Sequence, residues 1–342
     1  MRLADLTTMG VGGRPDVLRT CTATNELIER VRRLDDAREA VLILGGGSNI
    51  LMGDGPFHGT VLQIATRGIE IEVGDDAVRL TVAAGEPWDA LVELSVVNGW
   101  SGIEALSGIP GLVGATPIQN VGAYGQEISQ VIESVRVLDR ANGSVEVLDN
   151  AECQFEYRSS IFKRKPNRWL IVAVTLELRI DANCIVRYAE LAATLGIEIG
   201  GLAAPGEVRS AVLALRAAKG MVLDATDEDS RSVGSFFTNP IVTVEIAAGI
   251  PPGCPRYPAT TGVKLSAAWL IDQAGVTKGW RLTESSPVRV SNKHSLAIVA
   301  ARGATATEVI ELASHIQKLV MAKYGILLDP EPTLVNCTLG AA

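Results

Sequence analysis

The chain is poor in the residues from which metal and thiol redox sites are built. Its 342 residues include only three histidines, His58, His294 and His315, without metal-ligand spacing. Its five cysteines (Cys21, Cys153, Cys184, Cys254 and Cys337) form no CxxC pair. We therefore expect no zinc site, and reduced thiols rather than a disulfide framework. No GxSxG elbow is present, which removes the serine-hydrolase pattern, and no GxxxxGK[ST] loop is present either. No apolar run reaches the ~18 residues of a membrane span. The start, MRLADLTTMG, has neither a basic nor an apolar signal-like stretch, so a soluble, cytoplasmic chain is expected, with no membrane contact. The net charge of −8 argues against a nucleic-acid surface. It leaves room for local lysines and arginines to hold a phosphate. There are no internal repeats and no low-complexity segments. The apolar fraction of 47% and mean hydropathy of +0.23 fit a well-packed protein of two or three domains.

What the chain does have is glycine in two telling places. Ser107 to Gly125, SGIPGLVGATPIQNVGAYG, carries five glycines, two prolines and no charge. Glycine lets backbone come close to a ligand and adopt positive φ, and successive N–H groups can then cradle an anion without lysine or arginine. Thr116, Gln119 and Asn120 add neutral groups able to orient a ring system. Upstream, the apolar run Val41–Leu44 reads as a buried strand leading into Gly45-Gly46-Gly47-Ser48-Asn49. This is not a Rossmann turn, since Ile50 occupies the position of the third fingerprint glycine. Together the segments read as a cofactor cradle; either alone is compatible with an ordinary glycine-rich loop.

Periodicity places a helix from Thr24, with Leu27, Ile28, Val31 and Leu34 on one face, and another over Trp88–Asn98 between Pro87 and Gly99. Strands are expected at Thr60–Ile64, Ile69–Val73, Ala77–Ala83 and Trp169–Leu178. A hairpin is expected about Asn142-Gly143. Helices follow at Val208–Lys219, Leu265–Gln273 and Thr307–Tyr324. The glycine-rich stretch 196–206 suggests a domain junction. The expected division is 1–205 (in two subdomains, about 1–66 and 67–205), 206–325, and a tail 326–342.

The two glycine segments resemble the FAD-binding domain of vanillyl-alcohol-oxidase-like flavoproteins. The full set is more specific: Thr7-Thr8 with Gly12-Gly13, GGGSN, PIQNVGAYG, Tyr157-Arg158-Ser159-Ser160 and GSFFTNP (Gly234–Pro240). It resembles the UDP-N-acetylenolpyruvoylglucosamine reductase (UDP-N-acetylmuramate dehydrogenase) family, in the subclass with a mobile tyrosine loop, from about Leu6 to Leu334. The resemblance implies an α+β fold, a vanillyl-alcohol-oxidase-like FAD-binding region with a smaller α/β substrate domain. It implies a role in peptidoglycan precursor synthesis, with NADPH as reductant and UDP-N-acetylglucosamine enolpyruvate as substrate. Neither glycine segment contains a histidine for flavin attachment, so FAD is expected to be non-covalent. The implied cofactor residues are Gly45, Gly46, Gly47, Ser48, Asn49, Ile109, Pro110, Gly111, Gly114, Ala115, Thr116, Gln119, Asn120 and Gly122. A flavin oxidase or dehydrogenase of the same fold, and a non-catalytic nucleotide-sugar-binding flavoprotein, are the alternatives.

Three residues carry the implied chemistry. Ser235, read from its neighbours alone, is a turn serine or a neutral proton donor; the resemblance makes it the acid that protonates substrate carbon. Glu331 lies between Pro330 and Pro332 in a tail implied to return to the active site. Pro332 stands where the family usually has a β-branched residue. Arg158 offers a planar fork matched to the enolpyruvyl carboxylate, or else a surface ion pair. The implied substrate residues are Tyr188 on its mobile loop, Arg216 and Lys219 as a basic pair on one helix face, Asn239, Lys264 opening the 265–273 helix, and His294.

Overall fold

The computed structural model describes every residue except 181, 182, 341 and 342, so the end of the tail lies outside the described residues. The chain forms two compact units. One, here the central unit, comprises 15–46 and 58–217. The other, the C-terminal unit, comprises 1–14, 47–57 and 218–342.

The central unit is built on an antiparallel sheet in the order Val145–Asp149, Ile132–Asp139, Trp169–Ile180, Ala77–Ala83, Ile69–Val73, with Trp100–Ser101 pairing the end of the long strand. The long central strand reads as a nearly continuous apolar run because both of its faces are covered. Leu170 and Val172 pack with Leu27, Ile28 and Val31 of the helix Thr24–Asp36. Ile171, Val174, Leu176 and Leu178 pack with Trp88, Leu91 and Val92 of the helix Trp88–Val97. Both helices lie where their apolar spacing predicts, and Gly99 follows the second with φ 73°. Gly143 has φ 74° at the expected hairpin turn. A second, smaller sheet orders Pro15–Cys21, Phe57–Ile64 and Val41–Leu44, the last two parallel. Val41–Leu44 is an edge strand there, so only Leu44 is fully buried, and the expectation of a wholly buried strand is corrected. The helix Pro205–Ala218 also packs in this unit, through Val208, Ala211 and Val212 against Ala105, Cys184, Val186 and Leu191. The compact units therefore divide at 217/218 rather than near 206.

In the C-terminal unit the helix Ala306–Tyr324 buries Val309, Leu312, Ala313, Ile316 and Val320, the spacing of a single apolar stripe. It shares a core with Phe236, Phe237, Leu270 and Ile271, and with the hairpin Val288–Val290/Ile298–Ala300. The tail strand Thr333–Val335 lies parallel to Ile50–Met52, which brings 47–57 into this unit.

Asp54 ties the long helix to that insertion. It accepts from the N–H groups of Ala306 (2.7 Å) and Thr307 (2.9 Å) and from the Thr307 hydroxyl (2.8 Å). Burial alone would raise its carboxyl, but these donors hold it below the ordinary 3.8. Asp54→Ala is expected to cost about 1 kcal/mol at pH 7, as for a lost helix cap, read from the thermal midpoint. Because the folded pKa is depressed, that advantage is full above the unfolded value. It disappears as pH falls through the folded one. Parent and variant midpoints should converge in acid, and equal midpoints at pH 7 would show the contact to be worthless.

Candidate active site

The two glycine segments meet within the central unit. A Cβ built on Gly46 would stand 3.0 Å from the Gly111 Cα, and one on Gly45 3.5 Å from the Leu112 side chain. Gly114 is closer still to its own support, its Cβ position lying 2.5 Å from that of Ala84. The loop is anchored by Val113 N–H to Glu86 O (2.9 Å), Gly114 N–H to Ala84 O (2.9 Å) and Trp88 N–H to Gly111 O (3.0 Å). Gly46 and Ala115 are exposed, and Ile109, Pro110, Gly111 and Gln119 are partly so. Two of the side chains expected to orient a ring also hold the loop itself. Thr116 donates to Val113 O (2.8 Å). Buried Asn120 donates to Glu127 (2.9 Å) and Glu156 O (3.2 Å) and accepts from Ser129 N–H (3.1 Å). Their short polar side chains hold the turns of the loop ahead of the short hairpin Gly122–Ala123/Gln126–Glu127. The rest of GGGSN continues into the C-terminal unit. There Gly47 has φ 64°, its Cβ position lies 1.9 Å from Leu6 O, and its carbonyl accepts from Thr8 N–H (3.0 Å). Ser48 is half-buried.

Arg158 sits at the tip of a turn closed by the mutual Glu156/Ser159 backbone bonds of 3.0 and 3.1 Å, with φ 52°. Its Nη2 donates to Gly122 O (2.8 Å). Ser160 secures the same turn to the cradle by donating to Ile118 O (2.6 Å) while capping the helix Ile161–Arg164. The YRSS and PIQNVG motifs are thus one structure.

Tyr188 is 43% exposed and meets Tyr124 edge-on, with ring centroids 5.5 Å apart at 87°. Burial pushes the Tyr124 phenol up to about 12, so it stays neutral. Motif matching passes over Tyr124, although a tyrosine inside an uncharged glycine loop is a usable signal. Arg216 is buried, and that burial lowers its pKa despite the Asp89 carboxylate nearby. The expected Arg216/Lys219 pair on a helix face is corrected, because the helix stops at Ala218 and Gly220 follows with φ 66°. Arg216 faces inward and Lys219 lies past the helix end. Asp89 meanwhile binds Arg209 bidentately (2.7 and 3.0 Å) and accepts from Gly108 N–H (2.6 Å), fixing where the loop begins.

In the C-terminal unit the structure brings together Ser235, His294, Glu331 and Asn49. Ser235 is half-buried, next to the fully buried Phe236 and Phe237, and its Oγ lies 3.2 Å from His294 Nε2. Glu331 N–H donates to Phe236 O (2.8 Å), and Asn49 contacts Glu331 O at 3.5 Å. Asn239 accepts from Ala267 N–H (2.9 Å) at the start of the helix Ala267–Gln273. Lys264 does not open that helix. It lies in the strand Val263–Leu265, with Nζ 5.9 Å from the Tyr257 ring centroid, because Ser266 takes the cap position.

These residues fit the flavin that the resemblance implies. Close glycine backbones leave no side chain between the Gly46 and Gly111 segments and a ligand. Among the described residues, no protein acceptor takes the N–H groups of Gly46 or Gly111, as a pyrophosphate site requires. Gly46→Val would push the two cradle segments apart, and should give a folded protein with little bound flavin. Gly122→Val would meet Glu127, Gln126 O and Arg158 at 2.9–3.2 Å, so it should also displace Arg158. Full flavin absorbance in purified Gly46→Val would overturn the cradle assignment.

Comparisons with known proteins agree with this geometry. Residues 15–149 match the FAD binding domain model, and 225–335 match the model of the UDP-N-acetylenolpyruvoylglucosamine reductase C-terminal domain. The chain is 47% identical to the UDP-N-acetylenolpyruvoylglucosamine reductase of Salinispora arenicola, covering 98% of this chain and 95% of that one. It is 46% identical to that of Cutibacterium acnes, with 98% and 90% covered. The crystal structure of UDP-N-acetylenolpyruvylglucosamine reductase from Thermus caldophilus superposes with a TM-score of 0.65 at 26% identity, over 98% and 97% of the two chains. With its glycine cradle, its YRSS turn and its Ser235 strap all inside the matched length, the chain belongs to the UDP-N-acetylenolpyruvoylglucosamine reductase family.

Proposed function

We propose that this protein uses NADPH and non-covalent FAD to reduce UDP-N-acetylglucosamine enolpyruvate to UDP-N-acetylmuramate. The observation that carries this reading is the Ser235 strap: a neutral hydroxyl, held beside two buried phenylalanines, next to the backbone that carries Glu331. When bound, FAD supplies the redox step, taking electrons from NADPH and passing them to the substrate double bond. Gly45, Gly46, Gly47, Ser48, Asn49 and the 109–122 loop hold it, mostly by main chain. Arg158 binds the substrate carboxylate and draws charge toward it. Ser235 delivers a proton to the substrate carbon, a role in which a neutral donor avoids the desolvation cost of a buried charge. Glu331 stabilises the enol that precedes that proton transfer. Tyr188, Lys219, Lys264 and Asn239 bind the nucleotide sugar, with Arg216 buried near Tyr124, whose ring meets that of Tyr188. The reaction belongs to peptidoglycan synthesis in the cytoplasm, and through it to cell shape and division.

Ser235→Ala tests the reading by splitting the reaction. Reduction of the enzyme by NADPH should stay within a fewfold of the parent, while reoxidation by the enolpyruvyl sugar slows by ~10²–10⁴-fold, the contribution of a positioned general acid. Stopped-flow absorbance separates the two halves, and a variant unchanged in both returns Ser235 to a turn residue. Lys264→Ala should raise KM for the nucleotide sugar by roughly one to two decades, as for a lost charge-assisted bond of ~1.5–3 kcal/mol. Flavin content should not change. An unaltered KM would place the diphosphate elsewhere.

A further inference from the structure

Ser235 and His294 are 59 positions apart, yet one strap holds both. Ser235 bridges Ala297, and Phe236 N–H donates to Leu296 O (2.8 Å). Ala297 N–H donates to His294 O (3.1 Å), closing the turn between the strands Val288–Val290 and Ile298–Ala300. The fully buried Ser291 Oγ accepts from Lys293 N–H (3.0 Å) and His294 N–H (3.1 Å). The turn is then clamped from the segment preceding Ser235. Buried Asp229 accepts from Arg289 Nη1 (2.6 Å) and Asn292 N–H (3.1 Å), and Asp227 accepts from Lys293 Nζ (2.8 Å). These contacts aim the imidazole at Ser235 Oγ, with Nε2 at 3.2 Å.

We propose that His294 is the proton source that restores the Ser235 hydroxyl during turnover, positioned by the Asp229 clamp. The proposal rests on the reading of Ser235 as donor to carbon. A serine that gives up its proton becomes an alkoxide, and a half-buried alkoxide without compensation is costly. With Nε2–H donating to Oγ, the hydroxyl proton is free to point at the substrate. As the Oγ–H bond breaks and the new C–H bond forms, the Nε2–H bond breaks and Oγ–H re-forms. Imidazolium becomes imidazole, no electrons are exchanged in this step, and water returns the proton to the ring afterwards. The charged groups on the elements packed around this turn include Arg289 and Lys293 on the hairpin, Asp227, Glu228, Asp229 and Arg231 on the preceding segment, Lys278 beside Gly279, and Glu331 on the tail. Arg289 and Lys293 are each engaged by a carboxylate, which tempers their repulsion of a cationic ring.

The test uses holoenzyme and the enolpyruvyl sugar, with His294→Gln and His294→Asn checked for parental flavin content and circular dichroism. Reoxidation should slow by about 10²-fold, the low end for a positioned general acid, while reduction by NADPH is spared. In the parent, the reoxidation rate should fall as pH rises through the imidazolium pKa. It should also bend with the deuterium fraction of the solvent, as two protons in flight require. Both features should vanish in the variants, and added imidazole should restore part of the rate in His294→Ala. In ¹⁵N spectra of the protein without substrate, Ser235→Ala should shift the His294 Nε2 signal. A parental reoxidation rate in His294→Gln, or a slowed one that keeps the pH limb and curvature, overturns the relay. If Ser235→Ala is slow while His294→Gln is normal, only the relay fails. If both are normal, the reading of Ser235 fails with it.

Discussion

The loop from Ser107 to Gly122 has almost no regular structure, so its shape depends on the segment 84–88 against which it is pressed. Ala84 N–H donates to Val172 O (3.0 Å) in the central strand, and Ala84 O receives Gly114 N–H. The missing Cβ of Gly114 is what allows that approach. Trp88, fully buried, fixes the other side through its backbone N–H to Gly111 O and its indole N–H to Leu106 O (3.0 Å). From there the order passes on: Asn120 grips Glu156 O, the Glu156/Ser159 turn raises Arg158, and Arg158 returns to Gly122 O. A ligand-binding backbone without side-chain charge works only if it is this rigid, because each N–H must already point at the anion.

The C-terminal unit solves a similar problem with a strap instead of a glycine seam. Phe236 and Phe237 anchor the Gly234–Pro240 segment in the core, and Ser235 beside them remains half-buried. The buried Gln317 of the long helix donates to Leu328 O (2.7 Å), stopping the chain just before the segment that bears Glu331. Hydrophobic burial thus fixes position, and single polar bonds fix direction.

Much of this was legible in the sequence because it is local. The helices at Thr24, Trp88 and Ala306 follow apolar spacing, and the hairpin at Gly143 follows its turn residues. The glycine cradle and the GSFFTNP segment were visible as motifs. Three things were not visible, each for a physical reason. Residues 1–14 and 47–57 join the C-terminal unit through long-range contacts, such as the parallel pairing of Ile50–Met52 with Thr333–Val335, which leave no periodic trace. The exposure of Arg216 was misjudged because residue spacing predicts a helix but not which face a neighbour covers. The Ser235–His294 pair depends on a hairpin closing 59 positions away, and a lone histidine carries no mark of its partner.

At the position where the family resemblance implies a β-branched residue, the tail has Pro332. A proline costs a strand the N–H it would have donated, so its effect depends on whether that N–H had an acceptor. Here the tail is fastened on either side of it. Thr238 N–H reaches Asp329 O (3.0 Å), Pro330 bridges Phe237, Glu331 N–H reaches Phe236 O, and Thr333 N–H reaches Asn49 O (3.0 Å). Position 332 falls between two donors already in use, at a bend that precedes the strand Thr333–Val335. The tail is held here by bonds that do not involve an N–H at 332, while the ring, itself buried, stiffens the backbone that presents Glu331. The restraint on the backbone that bears the carboxylate lies in the bonds of residues 329, 331 and 333.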